Sequence, residues 1–169
     1  SIIVHVGCMA ATDAIELAHH AQQSGADGVS SIIPPRYDNA DGLYDYYKAI
    51  ATAAQDIPFL PYIAGGSIDA VKLMSRLMQI PNVVGTKYTG PDMYEFKRIV
   101  DLRSSDWSIF SGMDEQCIFA AMSGSCGNIG TTVNIMPDLY QKIHESCKTG
   151  DLSCAMALQN QANKIIAVL

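Results

Sequence analysis

Six times along this chain a short apolar run rich in β-branched residues gives way to a longer amphipathic segment, and few folds accept that alternation. The runs at 1–7 (SIIVHVG), 28–33 (GVSSII), 58–63 (PFLPYI), 83–89 (VVGTKYT), 107–111 (WSIFS) and 127–132 (GNIGTT) predict strands. Most of them lack a clean polar alternation, as strands buried on both faces do. Helices are predicted over 12–24, 41–54, 67–79, 91–102, 114–122 and 137–147, with a further one over 151–169. In the first of these, Thr12 reads as the capping residue. Ile15, Leu17, Ala18 and Ala21 share its inward face, and Gly25 ends it. Pro34 and Pro35 stop the second strand, and Pro91 stands at a first-turn position that helices tolerate. Strands joined by helical crossovers must run parallel, so the chain is α/β. Two closures stay open on periodicity alone. One is an open doubly wound sheet; the other is a (β/α)8 TIM barrel, which needs eight units and about 250 residues. With 169 residues and no internal linker, 1–169 reads as a single domain.

Composition narrows the partners. The net charge is −6, which repels nucleic acid and anionic membrane surfaces but leaves room for a small anionic substrate. Five cysteines in no paired spacing read as free thiols, which fits a cytoplasmic setting. No Cys/His cluster offers metal ligands, so no metal is expected. No run approaches the ~20 apolar residues of a membrane span. No secretory signal is visible, and the chain opens at Ser1 already inside a strand, which implies that more of the fold lies upstream.

Lys87 is the sharpest chemical feature. It sits near the C-terminal end of a strand whose other residues are apolar or small. An ammonium there is penalised by desolvation unless it is paired, and a neutral amine is the nucleophile that condenses with a ketone. In barrels and open α/β sheets alike, sites assemble at these strand ends. The competing reading is a lysine that snorkels past the strand end to water. Tyr62 ends an earlier strand and could relay a proton; it could equally be a core-edge tyrosine with a satisfied hydroxyl. Asp114 and Glu115 open a helix after the fifth strand, where carboxylates often serve only the helix dipole. The glycines and hydroxyls of 127–132 lack the spacing of either phosphate-binding loop. His5 reads as a satisfied core histidine and His19 and His20 as helix-surface residues. Cys8 reads as a small buried thiol.

Taken together, VHVG at 4–7, PFLPY ending at Tyr62, GTKYT around Lys87, SGMDE at 111–115 and GNIGTTVNIMP at 127–137 resemble the N-acetylneuraminate lyase and dihydrodipicolinate synthase family of (β/α)8 aldolases. The motifs follow the family's order along essentially the whole chain; each is weak singly and the ordered set is specific. The resemblance implies that Lys87 is the Schiff-base lysine and Tyr62 the proton shuttle. It implies further that Thr89 and the Gly112 carbonyl contact substrate. The GMDE form looks like the sialic acid lyases of the family, where Asp114, Glu115 and Thr131 would hold a polyol tail. The synthase branch usually carries an Arg soon after the tyrosine; here none occurs before Arg76. The implied reaction is a reversible aldol cleavage of N-acetylneuraminate, a 2-keto sugar acid, to pyruvate and N-acetylmannosamine. It needs no metal or organic cofactor, because the lysine supplies the electron sink. A homotetramer is implied by the family.

The sequence departs from the family in three places. By this alignment it covers strands three to eight of the barrel, so the Gly-Gly-(Ser/Thr)-Thr-Gly-Glu loop that binds the ketoacid carboxylate is absent. The stretch 63–67 (IAGGS) is shorter than the family's segment after the tyrosine. The loop at 34–38 (PPRYD) is also short, and Tyr37 is the one candidate for the aromatic role there. Two alternatives to the sialic acid lyase therefore stand: another pyruvate-dependent aldolase of the family, and a non-catalytic fragment of the fold.

Overall fold

The computed structural model describes residues 1–34, 39–66, 68–104 and 106–169. Six strands form within it: β1 (Ile3–His5), β2 (Gly28–Ile32), β3 (Phe59–Ala64), β4 (Gly85–Thr89), β5 (Ser108–Ser111) and β6 (Gly127–Asn128). Seven helices accompany them: α1 (Ala11–Gln23), α2 (Ala40–Ala53), α3 (Ala70–Leu77), α4 (Met93–Leu102), α5 (Cys117–Ser123), α6 (Pro137–Thr149) and α7 (Leu152–Ile166). The expectation for residues 35–38, which include Tyr37, lies outside the described residues.

Strand order decides between the two closures. The strands stand in the sheet in chain order, β1 to β6, every pair parallel. A doubly wound sheet reverses its order at a switch point. This one never does, and successive helices from α1 to α6 touch one another in a single layer. The result is a six-stranded half-barrel with its helices outside. Among the described residues β1 and β6 are its edges.

Register assigns the two faces. Side chains at paired positions of parallel strands point the same way, and neighbours along a strand alternate. Ile32, Tyr62, Lys87, Phe110 and Gly127 therefore form one row on the concave face. Val29, Phe59, Ile63, Tyr88 and Ile109 take the convex face and are buried against the helices. Asn82 ties the helix layer to the sheet's lower end: its amide donates to the carbonyls of Ala51, Ala54 and Ile57. A second cluster, with Ile118, Tyr140, Ile143, Ala155 and Ala162, joins α5, α6 and α7.

Local chemistry sets most helix starts. Asn39, Asp69, Asp92 and Asp151 each accept backbone amides at the N-termini of α2, α3, α4 and α7. The first helix departs from expectation. Its N-cap is Ala10, with no side-chain cap bond, and Thr12 lies inside the helix. Its buried residues are Ala14, Ala18 and Ala21, while Leu17 is 43% exposed beside the β1 edge. The sixth strand is also shorter than expected. It ends at Asn128, and Thr132–Asn134 instead form a 3-10 turn. The cause is the Asp114 carboxylate, which draws in the Thr132 amide and hydroxyl at 2.8 and 2.6 Å. All five cysteines are free. Burial pushes the Cys117 thiol up to about 12, so it packs as a small apolar group.

Candidate active site

Lys87 occupies the fourth strand at the level of Tyr62, its register partner on β3. Its Nζ lies 3.9 Å from the centroid of the Tyr62 ring. The ion pairs among the described residues are Arg76–Asp41 and Lys97–Asp101, so no carboxylate claims this amine. Lys87 is half-buried on the concave face, neither locked in a salt bridge nor turned out along the helix layer.

Four hydrogen bonds hold this pair from behind. The Tyr62 carbonyl accepts the Tyr47 hydroxyl at 2.6 Å and the Ile33 amide at 3.3 Å. Tyr47 is fully buried, and burial raises its hydroxyl well above the ordinary phenol value, which keeps it a donor. On the convex side of β4, the Tyr88 hydroxyl donates to Glu95 Oε2 at 2.5 Å, and Glu95 Oε1 accepts the Ala70 amide at 3.2 Å. Burial first, and the Glu95 bond second, raise the Tyr88 hydroxyl. One carboxylate thus joins β4 to the starts of both α3 and α4. Sequence reasoning passes over Tyr88 and Glu95. The available signal is a tyrosine on the outward side of a buried strand with an acid in the next helix's first turn.

One level above Lys87, Thr89 lies against Gly112 just past the end of β5, where the Gly112 amide donates to the Tyr88 carbonyl at 2.8 Å. The Thr89 hydroxyl oxygen is buried without a hydrogen-bond partner among the described residues, an arrangement that suits a ligand atom. Gly112 is needed here for space. A Cβ on it would stand 1.8 Å from Thr89 Oγ1 and 2.7 Å from Lys87 Cε. Gly112→Ala is expected to cost about 1–3 kcal/mol of stability by overpacking. It should also slow Lys87 chemistry by roughly tenfold to a hundredfold, through misplacement of the amine. Thermal melts and the rate of adduct formation with pyruvate measure the two effects separately.

Asp114, Glu115 and Thr131 lie farther along the same strand-end side, and the structure treats them differently. Asp114 is 6% exposed. Its Oδ2 accepts both bonds from Thr132, and Oδ1 has a single long contact, from Asn128 Nδ2 at 3.3 Å. Thr132 in turn bonds the Tyr140 hydroxyl at 2.6 Å, and Gln159 bridges the Asp114 carbonyl and the Ile118 amide. Glu115 and Thr131 are exposed. The structure thus brings Lys87, Tyr62, Thr89 and Gly112 into one cluster. It sets Asp114 as the organiser of the loop that carries Thr131. A cleft of about 600 Å³ between α4 and α5, lined by Met93, Lys97, Phe119 and Met122, includes none of these residues.

Chemically the cluster offers an unpaired primary amine against a phenol ring, a free hydroxyl and an open backbone position. That is a set for carbonyl condensation and proton transfer. Known proteins resemble this chain in sequence and in fold. An N-acetylneuraminate lyase of Danio rerio is 34% identical over 166 residues, which cover 94% of this chain and 54% of the relative. The wild-type sialic acid aldolase of Ruminococcus gnavus superposes with a TM-score of 0.91 at 30% identity, covering 99% of this chain and 57% of that one. A form of the same aldolase named as a catalytic lysine mutant superposes at 0.89, with 30% identity and coverage of 98% and 55%. The chain spans about half the length of the curated relatives it matches. Its whole length, residues 1–169, matches the model of the dihydrodipicolinate synthetase family, and to that family the chain belongs.

Proposed function

We propose that this chain carries the catalytic half of a Schiff-base aldolase that cleaves N-acetylneuraminate to pyruvate and N-acetylmannosamine. The observation that carries the reading is the Lys87 amine, unpaired by any described carboxylate and 3.9 Å from the Tyr62 ring, on the concave face of a parallel half-barrel. A relative named as an N-acetylneuraminate lyase and solved structures named as a sialic acid aldolase, one of them a catalytic lysine mutant, support it.

In this reading Lys87 Nζ adds to the open-chain keto carbon and water leaves, giving an iminium. The C3–C4 bond then breaks, and its electron pair is held as an enamine. The proton of the C4 hydroxyl passes to Tyr62, acting with the substrate carboxylate. Protonation of the enamine carbon and hydrolysis release pyruvate. Thr89 and the Gly112 carbonyl orient the ketoacid end. Glu115 and Thr131 meet the polyol hydroxyls, with Asp114 adding Oδ1; an analogue lacking those hydroxyls would leave polar groups unpaired. The lysine is the electron sink, so this sequence of steps uses no metal or organic cofactor. We assign the six strands to barrel positions three to eight, in one domain over 1–169. A homotetramer follows from the family resemblance, and a cytoplasmic setting from the free thiols. Among the described residues no helix is long and apolar enough to cross a membrane.

The ketoacid-carboxylate loop is not among these residues, so the 169-residue chain should turn over weakly or not at all. A chain extended upstream by two βα units of a sialic acid lyase should be active. Cleavage of N-acetylneuraminate in preference to other 2-keto sugar acids by the extended chain supports the reading. A preference for a different 2-keto acid would reassign it within the family, and full turnover by the 169 residues alone would contradict it.

A further inference from the structure

His5 closes the end of the β1–β2 ladder with its side chain. Its Nε2 accepts the Ile32 amide at 3.1 Å. The last backbone bond of that ladder is Val6 N–H to the Ser30 carbonyl, and the imidazole takes over where it stops. The ring lies against Gly7, where a Cβ would stand 2.7 Å from His5 Cε1. This bond defines the ring's state. Nε2 is the acceptor, so the proton of the neutral ring is on Nδ1. A second proton would turn Nε2 into a donor facing another donor and break the contact.

The amide it holds is well placed to matter. Ile32 is the register partner of Tyr62, and Tyr62 of Lys87. The next amide, Ile33, donates to the Tyr62 carbonyl. His5 thus anchors one side of the two-residue segment whose other side holds Tyr62. We propose that His5 is a positioning residue for the Lys87–Tyr62 pair. As a neutral acceptor it fixes the end of β2 behind Tyr62; as an imidazolium it releases that strand end and adds a positive charge to the field at Lys87. The proposal rests on the Schiff-base reading of Lys87.

The charged and titratable neighbours agree in sign. Lys87 of β4 acts on His5 electrostatically. Tyr62 of β3 carries the Lys87 amine over its ring, and His20 of α1 lines the same cavity of about 340 Å³ as His5. β2 brings no ionisable side chain, and among the described residues no carboxylate lines that cavity. Partial desolvation of the ring first and the Lys87 charge second hold His5 below its ordinary 6.5. The neutral ring therefore prevails at neutral pH, and its contact is lost as pH falls through that lowered value. An iminium at Lys87 is also a cation. By reciprocity, protonation of His5 opposes the iminium as much as the iminium opposes that protonation.

The test is borohydride trapping with pyruvate on the 169-residue chain, at a series of values from about pH 5 to 8, for wild type, His5→Gln and His5→Ala. Gln keeps an acceptor in reach of the Ile32 amide and cannot titrate. Acid protonates the Lys87 amine in every form, so all should fall on the acid side; wild type should fall at higher pH and more steeply than His5→Gln, with equal yields at neutral pH. His5→Ala should trap roughly tenfold more slowly than wild type at neutral pH, and the gap should close on the acid side, where wild type has lost the same contact. Coincident acid limbs for wild type and His5→Gln, or a wild-type rate for His5→Ala at neutral pH, would overturn the proposal alone. No adduct on any of the three would instead overturn the reading of Lys87, and the proposal with it.

Discussion

Lys87→Met is expected to abolish the pyruvate adduct and to lower sialic acid cleavage by the upstream-extended chain at least ~10³-fold. The amine is the one group of this cluster that can form an iminium, and a thioether cannot replace it. Methionine is chosen because it nearly conserves the volume and flexibility of the lysine stem. Such a swap in a packed setting costs less than about 1.5 kcal/mol. Its sulfur would stand near the Tyr62 ring, whose centroid is 3.9 Å from Nζ, a contact that thioethers also favour. Loss of activity with an unchanged melting curve then separates chemistry from folding. Retained adduct in this variant would place the Schiff base on another lysine.

The second large effect is on the strand that carries the lysine. Gly85 begins β4 with φ +155°, and a Cβ on it would stand 1.9 Å from the Ser108 carbonyl oxygen of β5. Ser108 is its register partner, and the Ser108 amide donates to the Val84 carbonyl at 2.9 Å, so neither backbone can withdraw without breaking the ladder. Gly85→Ala combines an unfavourable backbone region with overpacking and should cost about 2–5 kcal/mol. Denaturant melts followed by circular dichroism measure it. A loss below about 0.5 kcal/mol would mean that β4 and β5 pair in a different register. The Lys87–Tyr62 row would then need to be redrawn.

What the sequence made legible is what local physics controls. The β-branched runs and amphipathic intervals placed every strand and helix, because each element announces its own period. The choice between barrel and open sheet was not legible from period. It depends on strand order, which is a property of pairs distant in the chain. The run 127–132 looked like a strand because its threonines suit one, yet Asp114, eighteen positions before Thr132, bends it into a turn. Thr12 looked like a cap, but the helix begins one residue before it. Lys87 stood out because a long cationic side chain is unusual in a buried strand. Tyr88 and Glu95 did not, since their bond depends on the angle at which α4 returns to the sheet. His5 read as a core residue; the structure places it at an exposed strand edge, bonded to the neighbouring backbone.

The Schiff-base reading reduces to one covalent event, and peptide mapping after borohydride reduction with pyruvate observes it. The expected result is a single reduced pyruvyl group, on the peptide containing GTKYT and at Lys87. A label spread over the surface lysines, with Lys87 unmodified, would contradict it.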